Sequence, residues 1–230
     1  FEFASPLAAD AALAALFTGV QRRVLDKAPG VACLASTQSS GKTTLAQRLH
    51  VILTGHDMPV SSFPLGNEEE VGKRLLALLM RSPAMVVFDN VPDGFTFHSG
   101  ALAAALTAPV MSQRVLGLSR EATVPTNALF VITGNNVSLG PDEVSRWLVV
   151  RLAPRTSRPE ERRFVHADTV RYALQIRGQV LSDMLGIIAG YAASGASLPT
   201  ATRFPSWDQT VRQPLMWAGA QDVAQVFRAN

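Results

Sequence analysis

Apolar positions along the 230-residue chain form two alternating patterns. Continuous apolar runs, typical of strands buried on both faces of a parallel sheet, lie at residues 31–35, 84–88, 129–133 and 148–152. Between these runs, apolar residues recur at helical spacing in residues 6–28, after Thr44, and from the predicted N-cap Asn67 to Met80. Strands that alternate with helices predict an α/β fold with three layers and a mostly parallel central sheet.

Weaker patterns complete the predicted organisation. Short elements are predicted at 60–63 (a strand), 101–106 and 141–146 (helices) and 114–124 (a β-hairpin around a Gly/Ser centre). Residues 155–159 have the composition of a linker, and the chain beyond them is mostly helical in pattern, at 160–194, 206–217 and 221–228. The predicted division is an N-terminal helical segment at 1–29, an α/β core at 30–155 and a helical region at 156–230.

Composition restricts the class of protein. With 47% hydrophobic and 17% charged residues, the chain can bury a substantial core. Its longest weakly polar stretch, 184–200, is too short and too rich in glycine to span a bilayer, so we expect no membrane segment. The single Cys33 excludes an intrachain disulfide and favours a reducing, cytoplasmic location. Together with four scattered histidines it predicts no structural metal site.

The ends and the charge of the chain give two further expectations. The chain begins at Phe1 rather than at an initiator Met, so we expect a piece of a longer protein. The net charge is +3, and 18 of the 21 basic residues are arginines. Arginine suits contacts with phosphates and bases, but a GC-rich genome produces the same bias.

Residues 36–43 carry the main chemical motif. They match the pattern G-x-x-x-x-G-K-[ST], with Ser36 in place of the first glycine. The loop lies between a predicted strand and a predicted helix, whose N-terminus presents positive potential to phosphates. Gly41 allows close approach, Lys42 reaches the β- and γ-phosphates, and the Thr43 hydroxyl can ligate Mg²⁺. The predicted nucleotide-contacting residues are Ser39, Ser40, Gly41, Lys42, Thr43 and Thr44.

A second acidic position follows the apolar run at 84–88. Asp89 ends this predicted strand, where a carboxylate would complete the Mg²⁺ shell. The next residue is Asn90, whereas many ATPases carry a glutamate there to activate the attacking water. An asparagine can position water but cannot accept its proton.

Two explanations for the missing base remain open. Glu68 or Glu69, just after the predicted strand at 60–63, could supply the base. Against this, Glu69–Lys73 and Glu70–Arg74 have the i,i+4 spacing of surface ion pairs on a helix. Alternatively, hydrolysis is slow until a partner completes the site.

Polar residues after the third apolar run suggest a phosphate sensor. Asn135 and Asn136 follow the predicted strand at 129–133, where one amide could bind the γ-phosphate or the attacking water. Ten residues later, Arg146 precedes the last strand. In ring ATPases such an arginine contacts the γ-phosphate of the neighbouring subunit and contributes ~10³–10⁵ in rate. A turn after a strand and a surface arginine are the plain alternatives.

In this order, the phosphate loop, the Asp89-Asn90 strand end and the Thr-Gly-Asn135-Asn136 segment resemble a known group. The chain is similar to the AAA+/superfamily III-type ATPase domain of replication proteins encoded by prophages and mobile elements. The likeness covers roughly residues 30–220, with further matching pieces around Lys73, Arg114, Phe164 and Trp207. One departure is Ser145-Arg146, where relatives more often show paired arginines.

The resemblance implies ATP with Mg²⁺ and a hexameric ring that moves single-stranded DNA through its pore. It also implies a primase-type domain in the full-length chain and a helical or winged-helix lid at 156–230. The hairpin would project into the pore, where Arg114 and Arg120 could grip phosphates, although an ordinary solvated hairpin remains an alternative. Two other functions stay open: a nucleotide-switched assembly or loader module with little hydrolysis, and a P-loop small-molecule kinase.

Overall fold

The computed structural model describes residues 1–64, 66–114, 121–155, 165–166 and 168–228. The α-helices are α1 (Pro6–Gln21), α2 (Lys42–Thr54), α3 (Glu68–Leu79), α4 (Gly100–Thr107), α5 (Thr169–Ser194), α6 (Pro205–Trp207) and α7 (Gln213–Trp217). The strands are β1 (Gly30–Ala35), β2 (Met85–Val91), β3 (Thr96–Phe97), β4 (Val110–Arg114), β5 (Glu121–Pro125), β6 (Leu129–Asn135), β7 (Ser138–Leu139) and β8 (Trp147–Leu152). A π-helical segment (Asp208–Arg212) joins α6 to α7, and a 3₁₀ helix (Val223–Phe227) follows α7.

Four parallel strands form the central sheet, in the order β2-β6-β1-β8. Val31 of β1 lies opposite Val131 on one side and Leu148 on the other. All six residues of β1 are buried, as the continuous apolar run predicts. The prediction of an α/β fold with a mostly parallel central sheet is therefore confirmed.

The edges of the sheet are short. At the β2 edge a single parallel bridge joins Ser61 to Phe88, and at the β8 edge an antiparallel bridge joins Phe3 to Leu152. The strand predicted at 60–63 is therefore reduced to one residue pair. Pro59, two residues before Ser61 and on the same side of the chain, has no N–H group to extend the ladder toward the start of β2.

The helix predicted at 141–146 is also wrong. This segment consists of turns, in which the Glu143 N–H donates to the Gly140 carbonyl oxygen and the Arg146 N–H donates to the Glu143 carbonyl oxygen. The buried Glu143 carboxylate accepts hydrogen bonds from the Ser99 N–H at 3.0 Å and from the Trp147 Nε1–H at 2.8 Å. The contact with Ser99, 44 residues away in the sequence, anchors Glu143 and holds the segment in turns rather than in a helix.

The described part of the C-terminal region is mostly helical, as predicted, and it packs on the α/β core. The helix predicted at 160–194 begins only at Thr169, and residues 156–164 and 167 lie outside the described residues. Trp207 is fully buried, and its Nε1–H donates to the Thr18 hydroxyl of α1 at 2.7 Å. The long helix α5 lies against α2, where the Arg177 Nε–H donates to the Ile52 carbonyl oxygen at 2.8 Å. In the described residues, none of the helices has the length and apolar character needed to cross a membrane.

The predicted hairpin is present as the antiparallel pair of β4 and β5, outside the central sheet. The hairpin lies against α3, where Gly72 allows close approach near the far end of β4: a Cβ atom there would be 2.6 Å from Gln113 Nε2. Arg114 is paired in register with Glu121 at the far end of the strands. The turn between them, including Arg120, lies outside the described residues.

Candidate nucleotide site

The phosphate loop leaves β1 at Ala35 and enters α2 at Lys42. Gly41 is the N-cap of α2 and has φ +95°, a left-handed conformation that side chains rarely adopt. The following helix has 13 residues, so its first N–H groups and its dipole are directed toward the loop. The local sequence thus produces the shape and potential of a phosphate-binding loop.

Lys42 lies at the centre of the site and is only 8% exposed. Its Nζ donates to Asn135 Oδ1 at 2.5 Å, to Ser40 Oγ at 2.9 Å and to the Thr37 carbonyl oxygen at 3.3 Å. All three acceptors are neutral. Burial lowers the pKa of the Lys42 ammonium from its usual value, and the charge of Asp89 opposes this. Phosphate oxygens would supply the full negative charge that these partners lack.

The predicted Mg²⁺ ligands are brought together from different elements. Asp89, at the end of β2, accepts a hydrogen bond at 2.8 Å from the hydroxyl of Thr43, in the first turn of α2. A carboxylate and a threonine hydroxyl are hard oxygen ligands, which suit Mg²⁺ beside the phosphates of a nucleotide. These two residues therefore fit the ion that the motif implies.

Thr133 is a member of the site that the motifs do not single out. Its hydroxyl donates to Asp89 Oδ1 at 2.5 Å and accepts from the Asn90 N–H at 2.9 Å. Thr133 lies in β6 and is 1% exposed. A polar residue near the carboxyl end of a fully buried strand is the signal that could have identified it.

The backbone explains why Asn90 replaces the usual glutamate. Asn90 has φ +61°, in the left-handed region, and it lies where the pairing of β2 with β6 shifts between Phe88 and Val91. Asparagine tolerates this conformation better than most residues. A glutamate at position 90 would be strained as long as Thr133 holds the Asn90 N–H.

The two sensor candidates have different contacts. Asn135 accepts the hydrogen bond from Lys42, which places its amide at the phosphate-binding lysine. Asn136 donates from Nδ2 to Asp93 Oδ1 at 2.7 Å, and Asp93 also contributes to the electrostatic environment of Lys42. Asp93 was not predicted, because nothing in its spacing distinguishes it from a turn residue.

The two candidate bases make contacts on α3 and α4. Glu68 Oε2 accepts from the Ser99 hydroxyl at 3.2 Å and from the Ala101 N–H at 3.0 Å, at the N-terminus of α4. Glu69 Oε1 lies 2.8 Å from Lys73 Nζ, and this hydrogen bond lowers the pKa of the Glu69 carboxyl. The catalytic role of either residue stays a prediction.

Arg146 lies at the amino-terminal end of β1, whereas the phosphate loop follows the carboxyl end of the same strand. The Arg146 carbonyl oxygen accepts from the N–H of Gly30, the first residue of β1, at 3.0 Å. Six strand residues then separate this point from the loop, a distance of about 20 Å at ~3.3 Å per residue. A nucleotide bound in the loop of the same chain would therefore be too far away for Arg146 to contact its phosphates.

Solved structures of a helicase are among the known proteins that match this chain. No family model matches the chain, and no curated protein matches it. The structure of the JCV helicase matches with a TM-score of 0.45 and 16% identity, over 93% of this chain and 60% of that chain. The inhibitor-bound JCV helicase matches with a TM-score of 0.41 and 17% identity, over 93% and 59%. This chain thus spans about 60% of the length of these helicase chains.

Proposed function

We propose that this chain is the ATP-hydrolysing module of a DNA-translocating motor of the superfamily III helicase type. The observation that carries the proposal is a pair of hydrogen-bonded contacts at the carboxyl ends of three neighbouring strands, where the charge of Asp89 also acts on Lys42. The contacts join Lys42 to Asn135 and Thr43 to Asp89. Each member has the chemistry that a triphosphate with Mg²⁺ requires.

Each residue has a distinct role in this proposal. The loop N–H groups and Lys42 bind the β- and γ-phosphates, and Thr43 and Asp89 hold Mg²⁺, which neutralises charge on the phosphates. Thr133 fixes the Asp89 carboxylate. Asn135, which already contacts Lys42, orients the attacking water or the γ-phosphate.

The position of Arg146 supports a site shared between subunits. Since Arg146 lies about 20 Å from the loop of its own chain, it can act on ATP only in a neighbouring copy. A ring, six-membered in the resembling family, would bring Arg146 to every nucleotide. The hairpin of β4 and β5 lies outside the sheet and carries Arg114, which supports contact with single-stranded DNA. The sequence resemblance alone supports replication of mobile elements and a primase-type partner domain.

A second candidate is a nucleotide-switched loader with little hydrolysis. Asn90 favours it, because the left-handed backbone there disfavours a glutamate base. Multiple turnovers of ATP that increase with added single-stranded DNA would favour the motor. Tight binding with negligible turnover would favour the loader.

The test of the nucleotide site is the substitution Lys42→Ala. Loss of the ammonium from the phosphates should weaken Mg-ATP binding by at least ~30-fold, since truncating one partner of a buried charge pair costs ~2–5 kcal/mol. Titration calorimetry with ATP and Mg²⁺ measures the affinity. The matched control is Lys73→Ala, which removes the same charge from a surface ion pair. Retained affinity in Lys42→Ala would contradict the assignment of the loop.

A further inference from the structure

Two arginines from distant parts of the sequence come together near the amino-terminal end of β1, at the opposite end of the sheet from the phosphate loop. Arg146 lies in the turns before β8, and Arg203 lies in the loop between α5 and α6. The Arg203 Nη1–H donates to the Ser145 hydroxyl at 3.0 Å, across 58 residues of sequence. Ser145 thus holds a second guanidinium close enough to Arg146 for the two charges to interact.

The electrostatics of this pair favour an anion. Partial loss of water around the guanidinium of the exposed Arg203, and next the charge of Arg146, lower its pKa, whereas the Asp142 carboxylate raises it. The Arg146 Nη1–H donates to a backbone carbonyl oxygen, that of Asp142, which does not neutralise its charge. Two cations therefore face one carboxylate, and an added anion would relieve their repulsion.

Arg146 also has an unused donor. Over the described ranges of the chain, its Nε is the single buried side-chain polar atom without a hydrogen-bond partner. A buried donor without an acceptor is unfavourable, and such groups often mark ligand sites. The planar guanidinium, with its donors in a fixed fork, is well suited to phosphate oxygens.

We propose that Arg146 and Arg203 form a two-arginine phosphate-binding site, in which Ser145 positions Arg203. Its ligand is a terminal phosphate group. Resting on the proposed function, we assign this phosphate to ATP bound by a neighbouring copy, because the loop of the same chain is about 20 Å away. Arg203 then supplies a second positive charge beside Arg146.

Phosphate binding can be tested without ATP turnover. In a Lys42→Ala background, which disables the phosphate loop, inorganic pyrophosphate is titrated while the arginine Nε–H signals are followed by NMR. We expect a saturable shift of the Arg146 signal that is lost in Arg203→Ala and kept in the matched control Arg171→Ala. Arg203 is exposed, so its substitution should leave the fold intact, as far-UV circular dichroism can verify. No shift, or an equal shift in Arg203→Ala, would overturn the site.

Subunit mixing identifies the source of the phosphate. Arg203→Ala should reduce ATP turnover by at least about 10-fold, with ATP affinity changed by less than about 2-fold, since its own loop is intact. Mixing Arg203→Ala with Lys42→Ala subunits should restore part of the turnover, because each supplies what the other lacks. If pyrophosphate binds but the mixed subunits recover no turnover, the assignment of the bound phosphate to the ATP of a neighbouring copy is wrong. A wild-type chain without any turnover would contradict the proposed function, and the NMR result would still decide the site.

Discussion

At the residue scale, Thr133 is the side chain on which the geometry of the site depends most. Its hydroxyl donates to Asp89 and accepts from the Asn90 N–H, so one group fixes both the carboxylate and the left-handed backbone beside it. Thr133 is buried in β6, where water cannot replace the hydroxyl. In the proposed function, its role is to position the Asp89 carboxylate.

Thr133→Val, which keeps the shape but removes the hydroxyl, tests this role. Because the Asn90 N–H loses its acceptor, we expect the free energy of unfolding to fall by ~1–3 kcal/mol. We also expect Mg²⁺ to support ATP binding at higher concentrations than in the wild type, since Asp89 is no longer fixed. Urea unfolding and ATP titrations at several Mg²⁺ concentrations measure the two effects.

The matched control is Thr123→Val, which removes a hydroxyl from the exposed hairpin pair of Ser112 and Thr123. Its unfolding free energy should stay within about 0.5 kcal/mol of the wild type. Equal effects of the two substitutions would show that Thr133 has no special part in the site.

The contacts also explain what could be predicted of single residues. Lys42, Thr43, Asp89 and Asn135 were predicted because a motif or a strand end marks them, and the structure brings them into two contacting pairs. Thr133, Asp93 and Arg203 were not predicted, since each acquires its partner only through tertiary contact. Arg203 meets Ser145 across 58 residues, and no local pattern indicates such an encounter.

At the element scale, one ion pair joins two short helices of the C-terminal region. Arg212, at the end of the π-helical segment, donates from Nε and Nη2 to the two carboxylate oxygens of Asp222 at 2.6 and 2.7 Å. Asp222 also caps the 3₁₀ helix, because it accepts from the Ala224 N–H. The hydrogen bond from Arg212 lowers the pKa of the Asp222 carboxyl.

This pair predicts a pH-dependent stability. Since the pKa of Asp222 is lower in the folded state than the usual value of about 3.9, its stabilisation is complete above that pH. It is lost as the pH falls through the lowered value. Asp222→Asn should therefore reduce the free energy of unfolding by ~1.5–3 kcal/mol near neutral pH, and by less in acid.

Urea unfolding at about pH 7 and about pH 3 measures the difference between wild type and variant. Asp183→Asn is the control, because Asp183 is exposed on α5, where its carboxylate accepts a hydrogen bond from the Gln179 amide rather than from a cation. If Asp222→Asn lowers the free energy of unfolding by the same amount at both pH values, the carboxylate charge has no part in the stabilisation.

The hairpin of β4 and β5 gives a second element-scale prediction. Replacing both Arg114 and Arg120 with alanine should weaken binding of single-stranded DNA and flatten its salt dependence. Two lost phosphate contacts correspond to a slope of log K against log salt that is smaller by about 1.4. Fluorescence anisotropy between about 50 and 200 mM salt measures the slope.

The control for the hairpin is the single substitution Arg171→Ala on the exposed side of α5. An unchanged slope in the hairpin variant would exclude the hairpin as a DNA contact. Local alternation was sufficient to predict this hairpin, whereas the helix expected at 141–146 was wrong because the buried Glu143 carboxylate binds the Ser99 N–H, 44 residues away in the sequence. Such a distant contact cannot be read from a local pattern.

At the scale of the whole molecule, the polarity of the parallel sheet separates the site into two parts. The phosphate loop lies at the carboxyl end of β1, and Arg146 lies at the amino end. One copy therefore holds both parts but cannot use them on the same nucleotide. In the proposed function, hydrolysis at full rate therefore requires a neighbouring copy.

The most direct test of this account is ATP turnover by the chain over a wide range of protein concentration, with and without single-stranded DNA. We predict that turnover per molecule rises cooperatively with concentration, because subunits must assemble to complete each site, and that DNA increases it further. Turnover per molecule that is constant with concentration and unaffected by DNA would contradict a motor with shared sites.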